Sequence, residues 1–368
     1  MAVNESTRTA AAARVERLRE ATAGVGLDAF VVTADESIAY LTGFRPLQLE
    51  RLFAVVVRAD GGGAVVVPKL DAGQVAEAPD SLARVSYDAS SDGIPELAEL
   101  LDGAARVGVE EDHIVFARSA ALTSRGHELA PGGGVIFELR ARKDEGEIEA
   151  VRRACGLLEA AYALVWDVLR PGMSERELNG RVASFLRDGG ATDSHPVILF
   201  GENAANPHAD PTDRVLREGD VVCADISACL DGYWGDLTRC ATVGPPSDWV
   251  LEVWALVRDA QAASIAACVP GTPARDVETA ERVILETRPD LGEVLHGAGH
   301  AIGLAIHEPP FLVPRSGMPL AHGMIFTIEP GLYRAGLGGI RLEDDVVVRD
   351  GAPEILSTLP LDLVEISL

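Results

Sequence analysis

Asp225 and Glu329 each end a stretch of this 368-residue chain, and the two stretches repeat one another. The first reads Leu216-Arg-Glu-Gly219-Asp-Val-Val-Cys-Ala-Asp225 and the second Leu320-Ala-His-Gly323-Met-Ile-Phe-Thr-Ile-Glu329. Leucine, glycine, an apolar run and a terminal carboxylate recur at the same offsets. A glycine-containing turn and a further carboxylate follow each copy: Asp236 in GYWGDLTR, Glu343 in GGIRLEDD. Buried carboxylates crowd together only around cations. Four acids on duplicated hairpins therefore point first to a metal site.

The spacing sharpens that reading. Asp225 and Asp236 are eleven residues apart, with Leu230-Asp231-Gly232 as a turn signal between them. On a hairpin this places the two carboxylates opposite each other on adjacent strands. Glu329 and Glu343 are expected to do the same around the Gly336–Gly339 loop. The stretch HGAGHAIGLAIHE supplies His296, His300 and His307 on what reads as a glycine-rich strand, and His208 follows Pro207. Two Asp and two Glu bring four negative charges, which two divalent cations balance. An oxygen-rich set with one imidazole suits Mn²⁺ first, with Co²⁺ or Zn²⁺ as alternatives. Two such ions about 3–4 Å apart generate a hydroxide nucleophile and polarise a carbonyl at neutral pH. Taken singly, each element has a plainer explanation. An isolated Asp pair is commonly a surface turn, a lone histidine is commonly a capping or core residue, and Asp344-Asp345 reads as a solvated charge run. The duplicated acids, the His-Gly-x-Gly-His stretch and their order are not explained that way.

The surrounding elements have a repeating order. Residues 10–24 have helical spacing and lead to a strand-like run, Leu27–Thr33. Leu52–Arg58, Ala64–Val67, Val107–Val109 and Val135–Leu139 also read as strands, with a glycine-rich turn at 59–63. Neither GxGxxG nor a Walker loop appears. The charged stretch from Lys143 opens a second domain. Helices are expected over Glu147–Leu169 and Ser174–Asp188, parted by Pro171-Gly172, with a capping box at Ser174 and Glu177. Strands follow at 195–243. Helices over Trp249–Cys268 and Pro273–Thr287, parted by Pro270-Gly271, and strands over 294–349 repeat the order. Two helix–helix–hairpin units in tandem predict an internal pseudo-twofold around a shared site.

Composition bounds the function. The chain is 47% hydrophobic, which suits globular domains with cores. The formal charge of −25 disfavours nucleic acid and acidic membranes as partners. No apolar signal core opens the sequence and no run approaches membrane-spanning length, so the expected location is the cytoplasm. The five cysteines (Cys155, Cys223, Cys229, Cys240 and Cys268) read as small buried residues, not a disulfide framework. Lys69 and Lys143 are the two lysines, which leaves few candidates for Schiff-base chemistry.

GDVVCADIS…GYWGDLTR, HGAGHAIGLAIHEPP, TIEPGLY and GGIRLEDDVVV resemble the signature segments of the pita-bread metallopeptidases, in the branch of prolidase and aminopeptidase P. SIAYLTGF and ARKDEGEIEAVRRA resemble the creatinase-type N-terminal domain and its linker, so the likeness spans nearly the whole chain. It implies an α/β (α+β) architecture: a creatinase-like mixed α/β domain over 1–142 and a pita-bread catalytic domain over 143–368. It also implies roles. Asp225 chelates one metal ion, Asp236 and Glu343 bridge two, and His300 and Glu329 hold the other, Glu329 also handling protons. His208 and His307 match the substrate-side histidines, His296 a further pocket histidine, and Arg341 an arginine that orients a ligand carboxylate. Tyr233 is expected to line the pocket. The chain departs from the common pattern at Ser227, Cys240, Ala301 and Ala305. It also has Phe311 where many prolidases have an arginine after His-Glu that binds a dipeptide's carboxylate.

The resemblance thus implies a homodimeric, dinuclear-metal hydrolase cleaving the amide before proline in small Xaa-Pro peptides. Two alternatives have their own signatures. A hydrolase of small amide or amidino substrates on the same fold would ignore Xaa-Pro peptides. A non-catalytic binding module would lack metal ligands, whereas all five positions are filled here.

Overall fold

A computed structural model describes residues 5–367, which divide into two compact units, one up to Arg140 and one from Ala141. In the first, α1 (Glu5–Gly24), β1 (Ala29–Val32) and α2 (Asp35–Thr42) precede the hairpin of β2 (Ala54–Arg58) and β3 (Gly63–Pro68). Next come β4 (Ala83–Tyr87), α3 (Ile94–Leu100), β5 (Arg106–Val109), α4 (Phe116–Thr123), β6 (Glu128–Pro131) and α5 (Gly133–Ala141). The strands form one mixed sheet in the order β4-β3-β2-β1-β5-β6. Its central strands are runs of valine buried on both faces, and Val31, Val56 and Val107 pack against Leu97 of α3. The expectation of a strand over Val135–Leu139 is wrong: these residues lie within α5. A short apolar run does not separate strand from helix by periodicity, and Glu138, Leu139 and Arg140 favour helix.

The second unit repeats its elements as its sequence does. The helices α6 (Glu145–Val168) and α7 (Glu175–Asp188) precede β7 (Asp193–Phe200), β8 (Val221–Leu230) and β9 (Tyr233–Val243). Then α8 (Asp248–Ala267) and α9 (Ala274–Leu285) precede β10 (Gly299–Ala301), β11 (Glu308–Leu312), β12 (Ile325–Ile328), β13 (Gly331–Arg334), β14 (Gly338–Arg341) and β15 (Asp344–Val347). Short strands β16 (Glu354–Ile355) and β17 (Val364–Ile366) complete it. The sheets run β17-β9-β8-β7 and β11-β10-β12-β15-β16, with β13 and β14 as a separate ribbon.

The duplication extends to individual hydrogen bonds. Gly172 N–H donates to Leu216 O (2.9 Å) and Leu216 N–H to Met173 O (2.9 Å); in the other copy Gly271 donates to Leu320 O (2.8 Å) and Leu320 to Thr272 O (2.8 Å). Gly219 (φ 83°) donates to Val243 O, and Gly323 (φ 82°) donates to Val348 O. These left-handed turns, which a side chain would strain, feed the strands that lead to Asp225 and Glu329.

Local chemistry fixes the helix starts. Asp144 accepts from Glu147 N (3.0 Å) and Glu147 returns a carboxylate oxygen to Asp144 N (3.1 Å), a reciprocal cap on α6. Ser174 accepts from Glu177 N (3.1 Å), but the Glu177 carboxylate binds Arg181 at 2.7 Å. Strand alternation then decides what reaches the site. Val222, Ala224 and Ile226 of β8 pack with Leu158, Tyr162 and Val182 of α6 and α7, so Cys223, Asp225 and Ser227 take the other face. Phe326 and Ile328 likewise enter the core beside Val277, leaving Thr327 and Glu329 for the site. All five cysteines are buried, and none is in a disulfide.

Arg239 is a buried tie between the two copies. Its guanidinium donates to Glu343 O (2.6 Å), Leu359 O (2.7 Å) and Pro360 O (2.9 Å), and it pairs with Asp344 Oδ1 at 2.7 Å. Arg239→Met would strand a buried carboxylate, at a cost of about 3–5 kcal/mol. Urea denaturation should show a loss of that size, and a change under about 1 kcal/mol would mean that Asp344 is satisfied otherwise.

Candidate metal centre

Four acids and four histidines reach one cavity of about 190 Å³, lined by Asp225, Asp236, Glu329, Glu343, His296, His300, His307, His208, Arg341, Phe311, Val313 and Pro207. The β8–β9 hairpin turns on Asp231 (φ 54°) and Gly232 (φ 87°), the two-residue loop that suits strand twist. Its register places Asp225 opposite Thr238, and Asp236 opposite Ser227. The two aspartates are thus diagonal neighbours on one face, not directly opposed as the spacing suggested. In the other copy Ile328 faces Asp344 and Gly331 faces Arg341. That single register sets Glu329 across from Glu343, where β12–β15 gives way to the β13–β14 ribbon.

Donor atoms of Asp236, His300 and Glu343 lie within 4.8 Å of one another. Glu329 joins them through His300, its Oε1 3.6 Å from His300 Nε2, and accepts from Thr327 Oγ1 at 3.3 Å. Asp225 is drawn to Arg341, whose Nη2 donates to its Oδ2 at 2.5 Å. The same guanidinium donates to Thr238 Oγ1 (3.1 Å) and Tyr333 Oη (2.8 Å), and Thr238 Oγ1 donates to Glu343 Oε2 (2.6 Å). Arg341 therefore orients two of the candidate ligands, one directly and one through a hydroxyl.

The electrostatics call for a cation. Burial, then Glu343 and Asp225, raises the Asp236 carboxyl well above its usual range. Burial, then Glu329 and Asp225, does the same to Glu343. Asp236 Oδ1 is buried with no hydrogen-bond partner. An unpaired acceptor amid crowded acids and an imidazole is what a hard or borderline divalent ion satisfies. Burial also pushes Glu329 upward, but His296, His300 and Arg341 outweigh it and hold the group below its ordinary value. His300 Nδ1 faces its neighbour's carbonyl, Ala301 O, at 3.1 Å, which leaves Nε2 for the cavity.

The other site candidates divide. Burial lowers His296 and His307. His296 Nε2 meets Tyr333 Oη at 2.7 Å, and the His307 ring lies over His300 with centroids 4.0 Å apart. His208 reaches the cavity from the loop before β8. The expectation of one histidine-bearing strand is corrected: only His300 sits in a strand, and His296 and His307 lie in flanking turns. Tyr233 does not reach the cavity. Its hydroxyl donates to Glu147 Oε1 at 2.9 Å. Asp344 and Asp345, taken as a solvated run, are buried: Asp345 accepts from Asp236 N at 3.1 Å. Sequence reasoning missed Thr238 and Tyr333. Aligning the repeats on Val243 and Val348, whose backbone bonds match, puts Thr238 on Glu343 and would have found the first.

The profile of metallopeptidase family M24 matches residues 149–350, and that of the creatinase/prolidase N-terminal domain matches residues 14–142. The chain is 32% identical to the probable dipeptidase PepE of Mycobacterium bovis, over 96% of each chain. It superposes on an Xaa-Pro dipeptidase from Bacillus anthracis with a TM-score of 0.90 at 29% identity, covering 96% of this chain and 99% of that one. For a prolidase from Thermococcus sibiricus the values are 0.88 and 31%, covering 96% and 98%. This chain therefore belongs to metallopeptidase family M24, with a creatinase-like N-terminal domain ahead of the catalytic one. Among the described residues no helix is long and apolar enough to cross a membrane.

The raised acids make a signed prediction. A carboxyl whose folded pKa lies above its unfolded value stabilises the metal-free fold at low pH, and loses that contribution as pH rises through the folded value. A cation binds the ionised form, so its stabilisation grows across the same window. Saturating Mn²⁺ should raise Tm more at about pH 8 than at about pH 5.5. An equal rise at both would exclude Asp236 and Glu343 as ligands.

Proposed function

We propose that this chain hydrolyses the amide bond before proline in Xaa-Pro peptides, using two divalent metal ions. The observation that carries the hydrolytic part is the convergence of Asp236, His300 and Glu343 around an unpartnered Asp236 Oδ1. The solved prolidase and Xaa-Pro dipeptidase at 31% and 29% identity support the specificity. Asp225 would hold one ion, His300 and Glu329 the other, and Asp236 and Glu343 both. Four carboxylates with one imidazole favour Mn²⁺ over thiophilic ions. When bound, such ions polarise the scissile carbonyl and ionise an attacking water.

The remaining chemistry falls to side chains. Glu329, kept ionised by its histidine and arginine neighbours, accepts a proton from the attacking water and returns it to the proline nitrogen. His307, whose lowered pKa leaves it neutral near pH 7, donates an N–H to the carbonyl oxygen as charge develops there. His208 shares that task from the opposite loop. Pro207, Phe311 and Val313 supply an apolar wall for the pyrrolidine ring.

Purified protein should cleave Xaa-Pro peptides, lose that activity to chelator and regain it with Mn²⁺. Full activity in metal-free protein, or turnover of small amides alone, would overturn the reading. His300→Ala should lose metal and turnover together, whereas His307→Ala should keep its metal and lose kcat about 10²-fold or more. Matching metal contents in the two variants would refute the division between ligand and substrate histidines.

Phe311 sets a finer expectation. It is 38% exposed on the cavity wall, and the arginine lining the same cavity, Arg341, is already bonded to Asp225, Thr238 and Tyr333. A dipeptide's free carboxylate would find no uncommitted guanidinium there. Ala-Pro-amide should thus be cleaved with kcat/KM at least equal to that of Ala-Pro. Phe311→Arg should shift the ratio toward the free acid by about 1–3 kcal/mol. Strong wild-type preference for the free acid would place its cation elsewhere.

A further inference from the structure

The turn that carries His307 is folded around a buried ion pair. Lys143 Nζ lies 3.1 Å from Glu308 Oε2, and each side chain is 2% exposed. The other carboxylate oxygen, Glu308 Oε1, accepts from Ala305 N at 3.0 Å, two residues before His307. Gly303 sits directly over the pair: a Cβ there would come 2.8 Å from Lys143 Cε and 3.1 Å from Glu308 Oε2. The far side of the turn is pinned by Trp234 N donating to Gly303 O at 2.8 Å. Lys143 is itself anchored, its N–H donating to Gly323 O at 2.9 Å, in the left-handed turn that starts the strand leading to Glu329.

We propose that Lys143 is a positioning residue for His307, acting through Glu308. The inference rests on the role given to His307 in the proposed hydrolysis. The His307 ring sits at the end of the turn Gly303-Leu304-Ala305-Ile306, in tilted contact with the His300 ring. Glu308 follows His307 directly, so its grip on Ala305 N closes the turn from both ends. Lys143 neutralises the carboxylate that does this. Without the ammonium, the buried Glu308 carboxylate would lose the cation that sits 3.1 Å from its Oε2, and its hold on Ala305 would weaken.

The test compares variants of the metal-loaded full chain. Lys143→Met keeps the aliphatic stem, and Lys143→Met/Glu308→Gln removes both charges so that no unpaired ion is left buried. Both should retain metal and a cooperative melt; Lys143→Met should lower kcat on Ala-Pro-amide about tenfold with KM within about twofold, whereas the double variant, whose side-chain amide oxygen can still accept from Ala305 N, should recover kcat to within about threefold of wild type. In a His307→Ala background the same changes should lower kcat less than about twofold, because residues acting through one another are not additive. Equal losses for Lys143→Met with and without His307, or no loss in that variant, would overturn the proposal, as would a double variant no more active than Lys143→Met. Loss of the fold in both variants would assign the pair a structural role and overturn it too. A readout independent of turnover is the His307 ring resonance in zinc-loaded protein, assigned by its disappearance in His307→Ala. It should move in Lys143→Met and stay fixed on replacing the exposed Lys69 by Met; an unmoved resonance in Lys143→Met refutes the inference. If wild type cleaves no Xaa-Pro bond, the hydrolase reading fails while this resonance still decides on Lys143.

Discussion

Burying Asp236 and Glu343 in one cavity with Asp225 and Glu329 sets the terms for everything around it. Each desolvated carboxylate raises the cost of ionising the next. The protein offers one guanidinium directly, Arg341, and that group is committed to Asp225, Thr238 and Tyr333. The charge left over is a standing demand for divalent cations, and the surrounding polar residues read as arrangements for meeting it. Thr238 aims Glu343, Thr327 holds Glu329, and the carbonyl of Ala301 keeps the His300 ring turned with Nε2 toward the acids.

The internal duplication builds the cavity, and its breaking makes the cavity useful. Matched backbone bonds equate Val243 with Val348, so Thr238 is the counterpart of Glu343 and Asp236 that of Arg341. The counterparts Thr238 and Glu343 also form a backbone bridge to each other, as residues beside a local twofold would. Strict symmetry would have given either two arginines or two aspartates at the second pair of positions. One of each lets a single cationic side chain orient acids from both copies and leaves Asp236 free for metal.

Most of the second unit was legible because its signals are chemical. Glycines at Gly219 and Gly323, the prolines before α7 and α9, and the Asp231-Gly232 turn each force a local conformation. The carboxylates and histidines were legible for the same reason. Register was not: Asp225 and Asp236, eleven positions apart, oppose each other directly if a two-residue loop falls on Leu230-Asp231, and sit diagonally if it falls on Asp231-Gly232, as it does. Tyr233 was misplaced because its spacing says which strand it occupies, not that Glu147 on α6 waits for its hydroxyl. Val135–Leu139 failed at the other extreme, where five residues hold too little period to choose an element.

The acidic run at 343–345 shows how a sequence that looks solvated can be buried without a shared penalty. Alternation along the strand sends Asp344 to the face opposite Glu343 and Asp345. Glu343 takes the Thr238 hydroxyl, Asp344 takes Arg239 and the Gln261 amide, and Asp345 takes the Asp236 N–H. Each carboxylate therefore has its own donor: Thr238, Arg239 and Asp236 come from successive parts of β9, and Gln261 adds a second donor from α8. Asp345 is the least satisfied, with Oδ1 unpartnered and burial pushing its carboxyl up to about 7. Its contact with the Asp236 backbone nonetheless fixes the strand at the residue whose own Oδ1 is unpartnered. The centre is thus held from behind by acids that never enter it, and the rigidity of its ligands comes from how separately those acids are paired.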